Sequence, residues 1–437
     1  MDAQRSRLVV LGLDGLPYSL AQSLAATGKF PHLASLTLSA KARPIRAEIP
    51  ELSPVNWAGL TTGRDPGGHG VFGFSRLDHT FYSQSLVDSS DILAPTLFER
   101  LGEKGLTSTV INLPGSYPAK AIPGRLVAGF VAPELQKAVY PPFLASILAG
   151  EGYQLEADTT RGASDPDYLL AQVRATLRGR RKALDLFWPD LSWDLFLLVL
   201  TETDRIFHFF YPAVANPAHA LHGAFLEFLV EWDALIGAVL ERFDDLPGPK
   251  RLIVLADHGF TECEAEVDIN VWLMQQGLLT LKNLGSDEYD SRAIAPHDSA
   301  AFALDPGRIY INVKERFARG VFHQYVADKL RAELKEGLLA LTVNGKPVMA
   351  AVHEPREIYH GPHVSKAADL ICEPRPGFAI TGKFNRTELY SLYRRYGCHT
   401  AGDAFFYDSA GAAPETVCGV GQELFAHFGL TPEPGQD

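Results

Sequence analysis

Arg251-Leu-Ile-Val-Leu-Ala256-Asp257-His258-Gly259-Phe260 holds the clearest strand of the chain and the polar turn that ends it. Its apolar run does not alternate, which is the pattern of a strand buried on both faces in a parallel sheet covered by helices. The run ends in two side chains able to ligate a cation, then a glycine for a tight turn. In open α/β sheets, ligand groups collect just beyond the carboxyl ends of such strands. A purely structural Asp257-His258 pair is the competing reading, and its position at the strand end disfavours it.

The same signature recurs outward from this point. Leu8-Val-Val-Leu-Gly-Leu13 is another continuous apolar run, ending in Asp14-Gly15. Asp14 is either a metal ligand or a turn residue. Residues 194–200 form a third buried run, followed by Thr201-Glu-Thr-Asp204-Arg-Ile-Phe-His208. One helical turn puts Asp204 and His208 on one face, as a surface ion pair or as a carboxylate and imidazole for a divalent cation. Runs over 106–113 and 126–131 add strands. Helices are expected over 18–27, 167–187 and 218–243, and the basic residues of 167–187 read as a solvated face. These alternations predict a three-layer α/β/α, doubly wound, mostly parallel sheet. The pattern turns irregular from 261 to 356. The expected division is therefore a core of 1–260 and 357–437, with 261–356 an inserted cap packing on that core and over the site.

Glu51-Leu-Ser-Pro-Val-Asn-Trp-Ala-Gly-Leu-Thr-Thr-Gly63 reads as a short helix. Ser53 is expected at the N-cap, Pro54 at the first helical position and Gly63 at the C-cap. A hydroxyl at that spot faces free backbone N–H groups and the positive end of the helix dipole. Those groups favour a developing alkoxide and a phosphate-like anion. Capping alone is the ordinary use of such a serine. Beyond Gly63, Arg64-Asp-Pro-Gly-Gly-His69-Gly is a turn-rich loop, with His69 either beside the site or holding the loop by a structural hydrogen bond. His399 lies in Gly397-Cys-His399, just before a final strand over 404–407.

Asp14, Asp204, His208, Asp257, His258 and His399 thus fall nearly all at strand ends, with Ser53 the one hydroxyl at a helix start. Two adjoining divalent ions require about this many N and O ligands, the arrangement used for in-line displacement at phosphorus.

In this order, Leu-Asp14-Gly, Ser53-Pro-Val-Asn56-Trp with Thr-Gly63 and His69-Gly, Thr203-Asp-Arg-Ile-Phe-His208, Ala256-Asp-His-Gly259 and Gly397-Cys-His399 resemble the alkaline phosphatase superfamily. The likeness is nearest to its type I phosphodiesterase/nucleotide pyrophosphatase branch, and it spans nearly the whole chain. The resemblance implies one metal site from Asp204, His208 and His399. It implies a second from Asp14, Asp257, His258 and the nucleophile Ser53, with Asn56 donating to a phosphoryl oxygen. It also implies two divalent ions, zinc first, with manganese or iron as alternatives. Departures narrow the reading. The sulfatase motif needs an Arg that is missing after Ser53-Pro54. The nucleophile signature of the cofactor-independent phosphoglycerate mutases is absent. Arg64 stands beyond the helix end, so its reach to a phosphate is doubtful.

The chain has 437 residues, 46% hydrophobic and 21% charged, with a formal net charge of -12. This acidity disfavours a nucleic-acid polymer as partner and leaves room for a small phosphorylated substrate. Cys263, Cys372, Cys398 and Cys418 form no Cys-x-x-Cys pair, which fits a reducing compartment. The N-terminal residues lead straight into a short apolar run ending at Leu13-Asp14-Gly15, too short for a signal peptide and with no cleavage site after it, and no apolar run reaches a membrane span, so the expected location is cytoplasmic. The sequence therefore predicts a phosphodiesterase-like hydrolase with a phosphoseryl intermediate. A phosphomutase, or a phosphonate or phosphomonoester hydrolase, is the alternative on the same site. A non-catalytic anion-binding protein is the alternative of another class.

Overall fold

The computed structural model describes residues 6–432, so part of the N-terminal stretch read above for targeting lies outside the described residues. Two compact units divide the chain. The first takes in the described chain up to Arg64, Asp88–Glu262 and the chain from Arg394. Its strands in chain order are β1 (Arg7–Leu13), β2 (Ala42–Ile45), β3 (Ser108–Leu113), β4 (Gly124–Ala128), β5 (Val139–Tyr140), β6 (Leu195–Leu200), β7 (Lys250–Leu255), β8 (Gly259–Glu262), β9 (Gly397–Thr400) and β10 (Ala404–Asp408).

All but β8 and β9 join one eight-stranded sheet, ordered β2-β10-β7-β1-β6-β3-β4-β5. β1 runs parallel to both β6 and β7, and β3 parallel to β6 and β4. The antiparallel strands β2, β10 and β5 lie toward its two edges. β3 and β6 are buried at every position, which is why their apolar runs do not alternate. Each buried Val or Leu contributes ~1.5–3 kcal/mol, enough to fix which strands take the central places. β8 pairs antiparallel with β9, setting Phe260 opposite His399.

Helices cover the sheet: α1 (Tyr18–Ala26), α2 (Ser53–Thr62), α3 (Pro166–Phe187), α4 (Glu202–Ala215), α5 (His222–Asp244) and α6 (Val417–His427). α5 buries Phe225, Phe228, Trp232 and Ile236 at helical spacing. On α3, Arg178, Arg181 and Lys182 are exposed as expected. Arg180 is not: it is fully buried and donates to the carbonyls of Gln154 and Leu155 at 2.6 and 2.7 Å. Gly12 of β1 faces Trp57 of α2 so closely that a Cβ there would meet the indole at 2.4 Å.

The second unit comprises Asp65–Val87 and Cys263–Tyr393. It is larger than the inserted cap expected over 261–356. Its four-stranded antiparallel sheet runs Ala301–Leu304, Arg308–Ile311, Leu370–Pro374, Met349–His353. A three-stranded sheet joins Phe378–Thr381, Ala265–Asp268 and Tyr390–Ser391. The helix Gln324–Leu339 packs Leu334 and Leu338 into a separate core with Phe302, Ile309, Ile311 and Leu370. Leu370–Pro374, within the 357–437 segment expected in the core, pairs inside this unit. Its apolar letters report burial and do not say in which sheet.

Candidate metal centre

β1 and β7 are neighbours in register, so the residues following them emerge side by side. Asp14 follows β1, and its carbonyl accepts from the Thr203 hydroxyl at 2.6 Å. Gly15, at φ +69, turns the chain so that its N–H donates to Asp257 Oδ1 at 3.2 Å. Asp257 Oδ2 is buried and accepts no hydrogen bond, with His258 Nε2 beside it at 3.5 Å. Asp14 Oδ1 lies 3.7 Å from the same nitrogen. Asp14, Asp257 and His258 thus gather three ligand atoms within 4.8 Å of one another.

The adjoining cluster comes from α4 and β9. Asp204 Oδ2 is 3.3 Å from His208 Nε2 and 3.3 Å from His399 Nε2, and the two nitrogens are 3.2 Å apart. A tetrahedral ion with arms of ~2.0 Å separates its ligands by about 3.3 Å, so this triangle has the dimensions of a zinc-like cage. Two nitrogens that close hold one proton between them or share a cation. His258 links the clusters: its ring stacks on His399 at 3.8 Å, and it also groups with Asp204 and His399.

Backbone contacts fix how these rings face. His399 Nδ1 is 2.8 Å from the Glu51 carbonyl, and His258 Nδ1 is 3.1 Å from the Gly259 carbonyl. With Nδ1 the donor, each Nε2 keeps its lone pair for the cluster. Burial lowers the pKa of His208 and His258 to about 4, against the pull of Asp204, and burial with the neighbouring His258 lowers His399. All three imidazoles are therefore neutral, the form that ligates metal. Burial, then the charges of Asp257 and Asp204, raise Asp14 well above the usual carboxylate range. Burial and Asp204 push Asp257 up to about 6. Asp204 sits well below the usual range, because His208 and Arg205 outweigh its burial. Crowded carboxylates, neutral imidazoles and an unsatisfied buried oxygen fit a site that takes positive charge.

Ser53 does not cap its helix. Leu52 holds the N-cap position, no side chain caps it, and Ser53 is the first residue of α2. The hydroxyl instead lies 3.5 Å from Asp14 Oδ1 and 3.4 Å from His258 Nε2. Gly63 closes α2 at φ +63, as expected. Ser53, Asp14, Asp204, His208, Asp257, His258 and His399 are thus brought together. Asn56 is not among them. It is fully buried, its Oδ1 accepts from Glu48 N at 2.7 Å, and its Nδ2 donates to the carbonyls of Leu52 and Glu48 at 3.1 and 3.4 Å. The expected contact to a phosphoryl oxygen has no free donor there, because the extended approach to α2 occupies the amide. Arg64 donates to the Pro432 carbonyl at 3.1 Å. His69 belongs to the second unit, where its Nδ1 accepts from Val71 N at 3.1 Å.

Sequence reading missed two supports. Thr203 was hidden because its partner is a backbone carbonyl. Arg205 stands next to Asp204, and only that adjacency marks it.

A hydroxyl at a helix start thus faces two adjoining carboxylate–imidazole clusters at the carboxyl edge of a parallel sheet, an arrangement able to take cations beside a nucleophile. A sequence profile described as "Type I phosphodiesterase / nucleotide pyrophosphatase" matches residues 8–401, and the chain belongs to that family, within the alkaline phosphatase superfamily. No curated protein matches it by sequence. Among solved structures it is similar to phosphonoacetate hydrolase from Sinorhizobium meliloti 1021, at 15% identity and TM-score 0.63, over 97% of this chain and 96% of that one. Alkaline phosphatase PafA aligns at 11% identity and TM-score 0.63, over 99% and 97%. Murine ectonucleotide pyrophosphatase/phosphodiesterase 5 aligns at 14% identity and TM-score 0.55, over 99% and 97%. At these identities the likeness is one of fold. Among the described residues, no helix is long and apolar enough to cross a membrane.

Proposed function

We propose that this chain is a metal-dependent phosphohydrolase of small phosphorylated substrates, foremost a phosphodiesterase, with Ser53 as nucleophile. The observation that carries this reading is the uncapped Ser53 hydroxyl, 3.4–3.5 Å from His258 and Asp14. Asp204, His208 and His399 would hold one divalent cation, and Asp14, Asp257, His258 and Ser53 the other. Such ions, zinc first with manganese or iron as alternatives, supply positive charge that favours the serine alkoxide and offsets charge on the phosphoryl oxygens.

Deprotonated Ser53 Oγ attacks phosphorus, the Oγ–P bond forms, and the bond to the leaving alcohol breaks in line. The leaving alkoxide takes up a proton as the alcohol, the second ester group stays on the serine-bound phosphoryl, and water then attacks phosphorus, breaking the Oγ–P bond to release the phosphomonoester and return the Ser53 hydroxyl. The start of α2 directs its dipole at the charge developing beside Ser53. Glu51 and Gly259 hold His399 and His258 through their carbonyls, which keeps each Nε2 turned toward the clusters. Cys263 and Cys372 are free, which supports a reducing, cytoplasmic setting.

A panel of aryl phosphodiesters, phosphomonoesters and phosphonates, run with elemental analysis, tests the reading. The diester is expected to be the best substrate. Ser53→Ala is expected to lose about 10³-fold or more in kcat at unchanged metal content. Full activity in Ser53→Ala would remove Ser53 as nucleophile. A phosphonate as best substrate has a specific basis, since the phosphonoacetate hydrolase named above has this fold and was solved with phosphonoacetate.

A further inference from the structure

We infer that Arg205 is a positioning residue for the Asp204–His208–His399 pocket, fixing Asp204 so that it offers a single oxygen. The inference rests on the two-cation reading above. Arg205 Nη1 donates to Asp204 Oδ1 at 2.9 Å, while Asp204 Oδ2 is the atom facing His208 and His399 at 3.3 Å each. One carboxylate oxygen is therefore held by the guanidinium, and only the other meets the imidazoles.

The guanidinium is itself immobilised. Its Nε and Nη2 donate to the two carboxylate oxygens of Glu156 at 2.9 and 3.2 Å, and its carbon lies 4.2 Å from the centre of the Phe130 ring. The side chain is only 14% exposed. A planar fork bonded on both sides and stacked on a ring has one orientation, which a lysine's point charge cannot reproduce. Asp204 consequently cannot rotate to chelate through both oxygens. The 3.2–3.3 Å triangle that suits a tetrahedral ion depends on that restraint.

Among the described residues, no comparable fork holds the other cluster, where Asp257 Oδ1 is bonded by a backbone N–H. The charge of Arg205 also reaches Asp14 and His258, so a substitution that keeps the charge and breaks the fork should act chiefly on the Asp204 pocket. Partners of this outer kind typically change metal affinity by ~10–100-fold.

The test uses the full-length chain and Zn2+ alone, titrated against a chromophoric chelator, with no substrate present. Wild type is expected to bind two ions. Arg205→Lys is expected to weaken one ion by ~10–100-fold and leave the other unchanged, and Arg205→Met, which also removes the charge near Asp14 and His258, to weaken that same ion at least as much. Glu156→Gln should weaken the same ion by less. In a His208→Ala background, where the Asp204 pocket is already broken, Arg205→Lys should not alter the remaining ion. Two ions at wild-type affinity in folded Arg205→Lys would overturn the inference and leave the proposed function standing. Equal weakening of both ions would also overturn it, by showing a general structural role. Should Arg205→Met fail to fold, Arg205→Lys and Glu156→Gln carry the test. Wild type that binds no ion would overturn the proposed function and this inference together.

Discussion

The carboxamide of Asn56 is committed at both ends to backbone groups of Glu48 and Leu52, so its work is to hold the extended approach against α2. Asn56→Ala removes the acceptor of a buried N–H bond and should cost about 1–3 kcal/mol of stability. Urea unfolding measures this, and an unchanged midpoint would show the contact to be dispensable. Ser53 differs in kind. Its hydroxyl has no capping partner, and its neighbours at 3.4–3.5 Å are an imidazole and a carboxylate. Its variant should therefore lose turnover without a comparable loss of stability.

At the scale of elements, the site is a consequence of two contacts: β1 beside β7, and α2 against β1. The first sets Asp14 beside Asp257. The second depends on Gly12, where a Cβ would come within 2.4 Å of Trp57. Gly12→Ala should push α2 outward, cost about 1–3 kcal/mol by overpacking, and lower kcat through the displaced Ser53 while metal content holds. Thermal unfolding and metal analysis together check it, and unchanged kcat would show that α2 is free to shift. The buried strands were legible because two-faced burial leaves an uninterrupted apolar run, as in Leu195–Leu200. The ligands were legible because they directly follow such runs or stand one helical turn apart. The backbone partners of Asn56 were not legible, because its place one turn into a helix says nothing about which backbone groups meet the amide. Leu370–Pro374 was assigned to the wrong unit because hydrogen-bond partners are a property of pairing, not of apolar letters.

At the scale of the whole molecule, each unit has its own core, and the second carries a pH-sensitive group of its own. Burial, then the nearby His363, lowers the pKa of His69 from 6.5 to about 3. Between those values the unfolded chain binds a proton that the folded chain refuses. Stability therefore rises with pH across that window and is fully present above about 6.5. Wild type should lose stability between pH 6.5 and 4 more steeply than His69→Gln, by up to one proton. Parallel urea titrations would contradict this if both chains gave the same slope.

If two cation pockets adjoin at the carboxyl edge of the main sheet with Ser53 on one of them, crystals grown with Zn2+ and measured at the zinc absorption edge should show two anomalous peaks per chain. One is expected among Asp204, His208 and His399, the other among Asp14, Asp257 and His258 with the Ser53 hydroxyl alongside. A single peak, or peaks away from these residues, would contradict it.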